Sequence, residues 1–146
     1  MTLSTFTGPT ILLELGGSTV VEHIAGEQTS GATALVEFRI ESGYPVPPAH
    51  VHEREDELTY VIEGALEVTV GTETRVVRAG ESIFKPRGTV HAFAVAGEAP
   101  VRFLETITPA GFEGYFRAIA AAVRETGGLD RELADRLMAE YGLRSV

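Results

Sequence analysis

Between about residue 10 and residue 107 the sequence breaks into short β-rich runs separated by turn residues. That pattern argues for an all-β sandwich or barrel. Ile11 to Leu15 and Thr19 to Ile24 flank Gly16-Gly17, a two-residue hairpin signal. From Ala32 to Ile40, the residues Ala34, Val36, Phe38 and Ile40 share one face, with Glu37 and Arg39 on the other, as in a half-buried strand. Pro45, Pro47 and Pro48 then interrupt regular pairing, because proline has no N–H to donate. Further runs follow at Leu58 to Ile62, Ala65 to Val70, Thr74 to Arg78, Ser82 to Phe84, Thr89 to Val95 and Val101 to Ile107.

Beyond residue 108 the period changes. Thr108-Pro109 reads as a helix start, with Thr as N-cap and Pro at the first helical position. Phe112, Phe116, Ile119 and Val123 recur at helical spacing with Tyr115 beside them, and Gly127-Gly128 ends the run. Asp130 can cap a second helix carrying Leu133, Leu137 and Tyr141 before Gly142. Both helices are amphipathic and are expected to pack outside the barrel, in their own subunit or across a dimer.

The chain has 146 residues, 44% hydrophobic and 23% charged, which suits one domain with a core of its own. The reading is a single domain over 1–146, with the barrel at about 10–107 and a helical extension at 109–146. A formal charge of −9 opposes nucleic acid as a partner, since phosphate binding needs a basic surface. Cysteine is absent, so any metal site must use His and carboxylate. Residues 1–10 show no secretory signal and no apolar run is long enough to span a bilayer, so the expected setting is cytoplasmic, away from membranes.

Chemistry concentrates at His50-Val51-His52, Glu57 and His91. A His-x-His strand puts both imidazoles on one face, because side chains alternate with period two. Glu57 follows His52 at an odd spacing, so the polar run Glu53 to Asp56 is expected to turn and reset the parity. Glu57 then heads a new strand with Thr59 and Val61 on its face. His91 comes after the tight turn Pro86-Arg87-Gly88 and shares a face with Phe93 and Val95. Three imidazoles and a carboxylate suit a divalent first-row transition metal, with roughly one or two positions left open. Glu53, Glu55 and Asp56 are expected to form a solvated acidic turn, with Glu55 a minor alternative to Glu57 as ligand. His23 reads as a surface or internally satisfied histidine.

The segment Gly43 to Gly64 resembles the first cupin motif, G-x5-H-x-H-x3,4-E-x6-G, and Gly80 to His91 resembles the second, G-x5-P-x-G-x2-H-x3-N. Six residues rather than five separate Gly43 from His50, and Val95 stands where the second motif ends in Asn. The chain as a whole is similar to small single-domain bacterial cupins of the quercetin dioxygenase type. The resemblance implies a cupin-type jelly-roll β-barrel of two antiparallel sheets, with two C-terminal helices packed outside. It implies one divalent metal ion per chain (iron, manganese, nickel, zinc or similar) held by His50, His52, Glu57 and His91. It also implies a catalytic role for Glu57 as acceptor of a substrate proton, and a homodimer that covers exposed strand edges.

Fold alone does not fix function. The leading expectation is a metal-dependent dioxygenase acting on a small enolic or aromatic substrate, in a pocket walled by Phe38, Phe93 and Phe103. The alternatives are a non-redox isomerase or polyketide cyclase, and a non-catalytic small-molecule-binding cupin with a structural metal.

Overall fold

The computed structural model describes residues 8–146; the first seven, part of the stretch read for a secretory signal, lie outside the described residues. Alternation of apolar and polar side chains sets the strands. β1 (Thr10–Leu15), β2 (Ser18–Ile24) and β3 (Ala34–Ile40) are followed by β4 (His50–His52), β5 (Asp56–Glu63), β6 (Ala65–Val70) and β7 (Glu73–Arg78). β8 (Ser82–Lys85), β9 (His91–Val95) and β10 (Val101–Thr108) complete the barrel before helices α1 (Glu113–Thr126) and α2 (Arg131–Glu140), and β11 (Leu143–Ser145) ends the chain.

The strands form two antiparallel sheets, one ordered β1-β2-β3-β10-β5-β8 and the other β11-β4-β9-β6-β7. With the two C-terminal helices this is the jelly-roll arrangement that the motifs imply. In β10, Val101, Phe103, Glu105 and Ile107 are all buried while their neighbours are less so, which is the period-two pattern of a strand with one face inward. Val36, Phe38, Val61, Leu66, Val68 and Phe103 are central to one continuous core between the sheets. The chain crosses from the first sheet to the second at Gly64, whose φ is 74°. A Cβ there would stand 2.4 Å from the Pro100 carbonyl oxygen, so the close approach requires glycine.

One local expectation needs correction, and two short elements carry no sequence signal. The first helix does not begin at Thr108-Pro109. Thr108 is instead the last residue of β10, paired with Asp56, and α1 starts at Glu113 with Phe112 as N-cap. Strand pairing on two sides of β10 outweighs the local capping signal. The first unmarked element is β11, which pairs antiparallel with β4 through Leu143 and His52, Arg144 and Val51, and Ser145 and His50. Three residues after a helix end show no alternation to read. The second is a 3-10 turn at Gly26–Thr29. By contrast, Asp130 caps α2 as expected, accepting from the Leu133 N–H at 2.8 Å, and Gly127 ends α1 with φ 75°. Among the described residues no helix is long and apolar enough to cross a membrane.

Glu113 fixes the start of α1 against the barrel. Its carboxylate is buried and accepts from the Gly111 N–H at 2.7 Å and the Gly26 N–H at 3.2 Å. Removing the acceptor strands at least one buried donor. Glu113→Ala is therefore expected to lower the unfolding free energy by about 2 kcal/mol in urea titration. An unchanged midpoint would show that this anchor contributes nothing.

Candidate metal centre

The second sheet supplies the imidazoles. His50 lies opposite His91 where β4 pairs with β9, and His52 lies two residues along β4. The ring centroids are 5.1 Å apart for His50 and His52, 4.5 Å for His50 and His91, and 5.3 Å for His52 and His91. One ring nitrogen from each falls within 4.8 Å of the others, and all three residues are buried.

Glu57 comes from the other sheet, on β5, facing inward with Thr59 and Val61. Residues 53–55 form the break between β4 and β5 that resets its parity. Its Oε1 lies 3.2 Å from His52 Nε2 and its Oε2 lies 3.4 Å from His91 Nε2. The four groups expected to act together are thus brought together across the two sheets.

The donor set fits a transition-metal ion. His50 Nδ1 lies 2.8 Å from the Pro48 carbonyl and His91 Nδ1 lies 3.3 Å from the Thr89 carbonyl. Protons placed on those Nδ1 atoms leave each Nε2 with a free lone pair, and such a backbone contact orients a ligating ring. His91 Nε2 is buried and makes no hydrogen bond. Burial, with the neighbouring His91 and His52 adding to it, pushes His50 down from 6.5 to about 4, which keeps it neutral and able to ligate at neutral pH.

Two charged residues were missed in the sequence. Lys85, at the end of β8, is buried with its Nζ 3.0 Å from Glu57 Oε2 and in contact with Glu105 Oε1. Glu105 is buried on β10 and also accepts from the Thr59 hydroxyl at 3.0 Å. Burial alone would raise Glu57, yet Lys85 and the two imidazoles hold its carboxyl well below the usual carboxylate range. Burial and the nearby Glu57 push Glu105 upward, while the two carboxylates raise Lys85 despite its own burial. A signal existed for Glu105, the one acidic residue among the inward Val101, Phe103 and Ile107.

Glu55 also departs from expectation. It is buried at 5% exposure, not solvated, with Oε2 3.7 Å from His52 Nδ1 on the side away from Glu57. Asp56 pairs instead with Arg87, accepting from its backbone N–H at 2.9 Å and from its guanidinium at 3.1 and 3.0 Å. His23 stands on β2 beside Glu37, Nε2 to Oε1 3.4 Å, and is not part of the cluster.

The cluster forms the floor of a cavity of about 670 Å3. Lys85 and Glu105 reach it, Phe38 and Phe93 line it, and much of the remaining wall is apolar. Phe103 does not line it. It packs behind, stacked on Phe38 with centroids 4.9 Å apart, because its strand position points into the core. The face of α1 turned toward the barrel closes one side, and Phe112 sets its ring edge-on to His52 at 4.3 Å. A second hollow of about 720 Å3 lies between β7 and β8 and contains none of the imidazoles.

The lowered His50 gives metal-stripped protein a defined acid response. The unfolded chain takes up a proton near pH 6.5 that the folded chain refuses until about 4. Unfolded protein binds more protons in that window, so stability falls as pH falls through it. Urea midpoints of metal-free protein are expected to drop between about pH 6.5 and 4, with a smaller drop in His50→Phe. An equal drop in both proteins would remove His50 as the cause.

Comparison with known proteins follows the same lines. Residues 36–107, which carry all four candidate ligands, match the cupin domain family. A germin-like protein, subfamily 2 member 2, of Arabidopsis thaliana is 34% identical over 105 residues, covering 66% of this chain. The chain spans about half, 47%, of that relative's length. Among solved structures, KdgF from Halomonas sp. superposes with a TM-score of 0.60 at 25% identity, over 70% of this chain and 89% of that one. The polyketide cyclase RemF from Streptomyces resistomycificus superposes with a TM-score of 0.54 at 31% identity, over 64% and 66% of the two chains. With the ligand-bearing strands, the two facing sheets and the matched segment in agreement, the chain has the cupin fold, and its residues 36–107 match the cupin domain family.

Proposed function

We propose that the protein is a metal-dependent enzyme for a small apolar molecule with an enolic or aromatic oxygen-bearing edge, acting as an oxygenase of the quercetin dioxygenase type. The observation that carries this reading is the convergence of three buried imidazoles and one carboxylate at the bottom of a largely apolar cavity. A divalent ion held by His50, His52, His91 and Glu57 would polarise a substrate oxygen and, if redox-active, bring substrate beside dioxygen.

The chain's own residues supply the rest. Phe38 and Phe93 exclude water from the body of the substrate and strengthen electrostatic effects at the floor. Lys85 holds one oxygen of Glu57 and keeps the carboxylate ionised. An ionised, positioned carboxylate can accept the proton of an enolic hydroxyl. Glu105, which also accepts from the Thr59 hydroxyl, holds Lys85 beside Glu57, so the cation cannot swing away without breaking both ion pairs.

A non-redox reading has one specific support, the 31% identity with a protein described as a polyketide cyclase. In that case zinc would suffice as a Lewis acid. Oxygen uptake during turnover of flavonols and related enolic compounds separates the two, because a cyclase consumes none.

Protein purified without added metal is expected to carry about one transition-metal ion per chain by elemental analysis. Joint replacement of His50 and His52 by Ala should abolish binding and leave a cooperative unfolding transition. In wild type, free metal at a hundredfold excess over its dissociation constant adds roughly 2.7 kcal/mol to stability. Full occupancy in the double variant would sink the assignment of these ligands.

Glu57→Gln tests the second role of the carboxylate. An amide can still approach a metal ion but cannot take a proton, so turnover per bound metal should fall on the order of a hundredfold or more. Steady-state rates at matched metal content decide the matter. Equal turnover per metal would leave Glu57 as a ligand alone.

A further inference from the structure

The apolar stripe of α1 faces the cavity where a helix of this kind would ordinarily meet a packed neighbour. Phe112, Phe116, Ile119 and Val123 share one face by their spacing, and all four line the cavity. The first two are tied into the interior: Phe112 touches His52, and Phe116 stands edge-on to Phe38 with centroids 5.5 Å apart. Ile119 and Val123 are different. Among the described residues they are only partly buried and are not part of the packed core.

The helix therefore runs away from the metal centre along the cavity wall. At a rise of 1.5 Å per residue, Ile119 lies about 10 Å and Val123 about 16 Å along the axis from Phe112. Gly127, Gly128 and Leu129 continue the lining past the helix end. Two apolar side chains facing open space gain from burial only when an apolar body enters beside them. None of this wall belongs to the segment that matches the cupin family, which ends at residue 107.

We propose that α1 is a length gauge for the substrate. The polar edge of the substrate meets the metal centre beside Phe112, its apolar body lies along the helix, and Ile119 and Val123 contact its far end. They determine the longest body admitted. The inference rests on reading the imidazole cluster as a metal centre, and it names the substrate as an extended apolar molecule with one chelating end.

The test uses the full chain loaded with zinc and a series of n-alkyl hydroxamates, whose head chelates zinc and whose tail grows by one methylene at a time. Binding is followed by titration calorimetry. In wild type, each methylene should tighten binding about fourfold until the tail reaches the end of the wall, where the gain stops. Val123→Phe should end the series at a shorter tail than wild type, and Ile119→Phe at a shorter tail still, following their order along the helix. The milder Val123→Leu and Ile119→Met serve where a ring impairs folding, and each should shift the limit in the same direction by less. Tail-dependent binding that ignores the α1 variants, or a reversed order of their limits, overturns the gauge while leaving the metal centre intact. Failure of zinc or the shortest hydroxamate to bind wild type sinks the metal-centre reading and the gauge with it.

Discussion

Each group of the metal centre occupies an inward strand position that a core side chain would otherwise fill. Burying charge in that position is costly unless the charge is paired, and the pairing here is local. Lys85 is held between Glu57 and Glu105, and Thr59 donates to Glu105 from the neighbouring strand. All of these side chains come from β5, β8 and β10, adjacent strands of one sheet. The opposite sheet contributes the imidazoles, of which His50 is kept neutral because burial opposes its protonation. The barrel can therefore carry a polar interior at one end because one sheet shares Lys85 between its two carboxylates and the other presents imidazoles.

That arrangement removes hydrophobic contacts from the same region, and the C-terminal extension restores part of them. Phe112 covers His52, and Phe112, Tyr115 and Phe116 form a mutual aromatic cluster with centroids 5.1 to 5.9 Å apart. Glu113 pins the helix to the loop at Gly26, while Arg117 reaches Glu22 on β2. β11 then pairs with β4, so the last strand of the chain is hydrogen-bonded to the strand that carries two ligands. A cavity of about 670 Å3 remains because the helix is fastened at these points and spans the space between them.

The features legible in the sequence are those with a fixed spacing. His-x-His, the odd step to Glu57 and the turn before His91 follow from strand period and turn chemistry, and the structure places all four residues within one cluster. Lys85 is not legible in the sequence because a charged residue in a short strand ordinarily faces water, and the inward position of Glu105 does not by itself name its partner. Only their three-dimensional pairing makes burial affordable. The polar run around Glu55 predicts a solvated turn for the same reason, yet its carboxylate is buried beside His52. Phe103 shares its inward face with Glu105, and sequence alone does not tell which inward residues border a cavity and which stand behind it. The start of α1 is not legible locally because pairing of Thr108 with Asp56 is a long-range contact that local capping rules do not see.

Chemistry and selectivity are consequently written in different kinds of sequence. The ligands sit within residues 36–107, where spacing is constrained by strand register and the family likeness is found. Much of the cavity wall lies outside that segment, on β1, β2, α1 and α2, where Leu13, Val20, Ile119 and Met138 are ordinary apolar residues with no distinctive spacing. Such residues interchange at little cost to folding as long as volume is kept. They can therefore vary in shape without disturbing the metal centre, whose carboxylate is held on the far side of the cavity by Lys85. A family match on the ligand-bearing strands thus speaks to the chemistry of the floor, and the shape of the substrate has to be read from the helix above it.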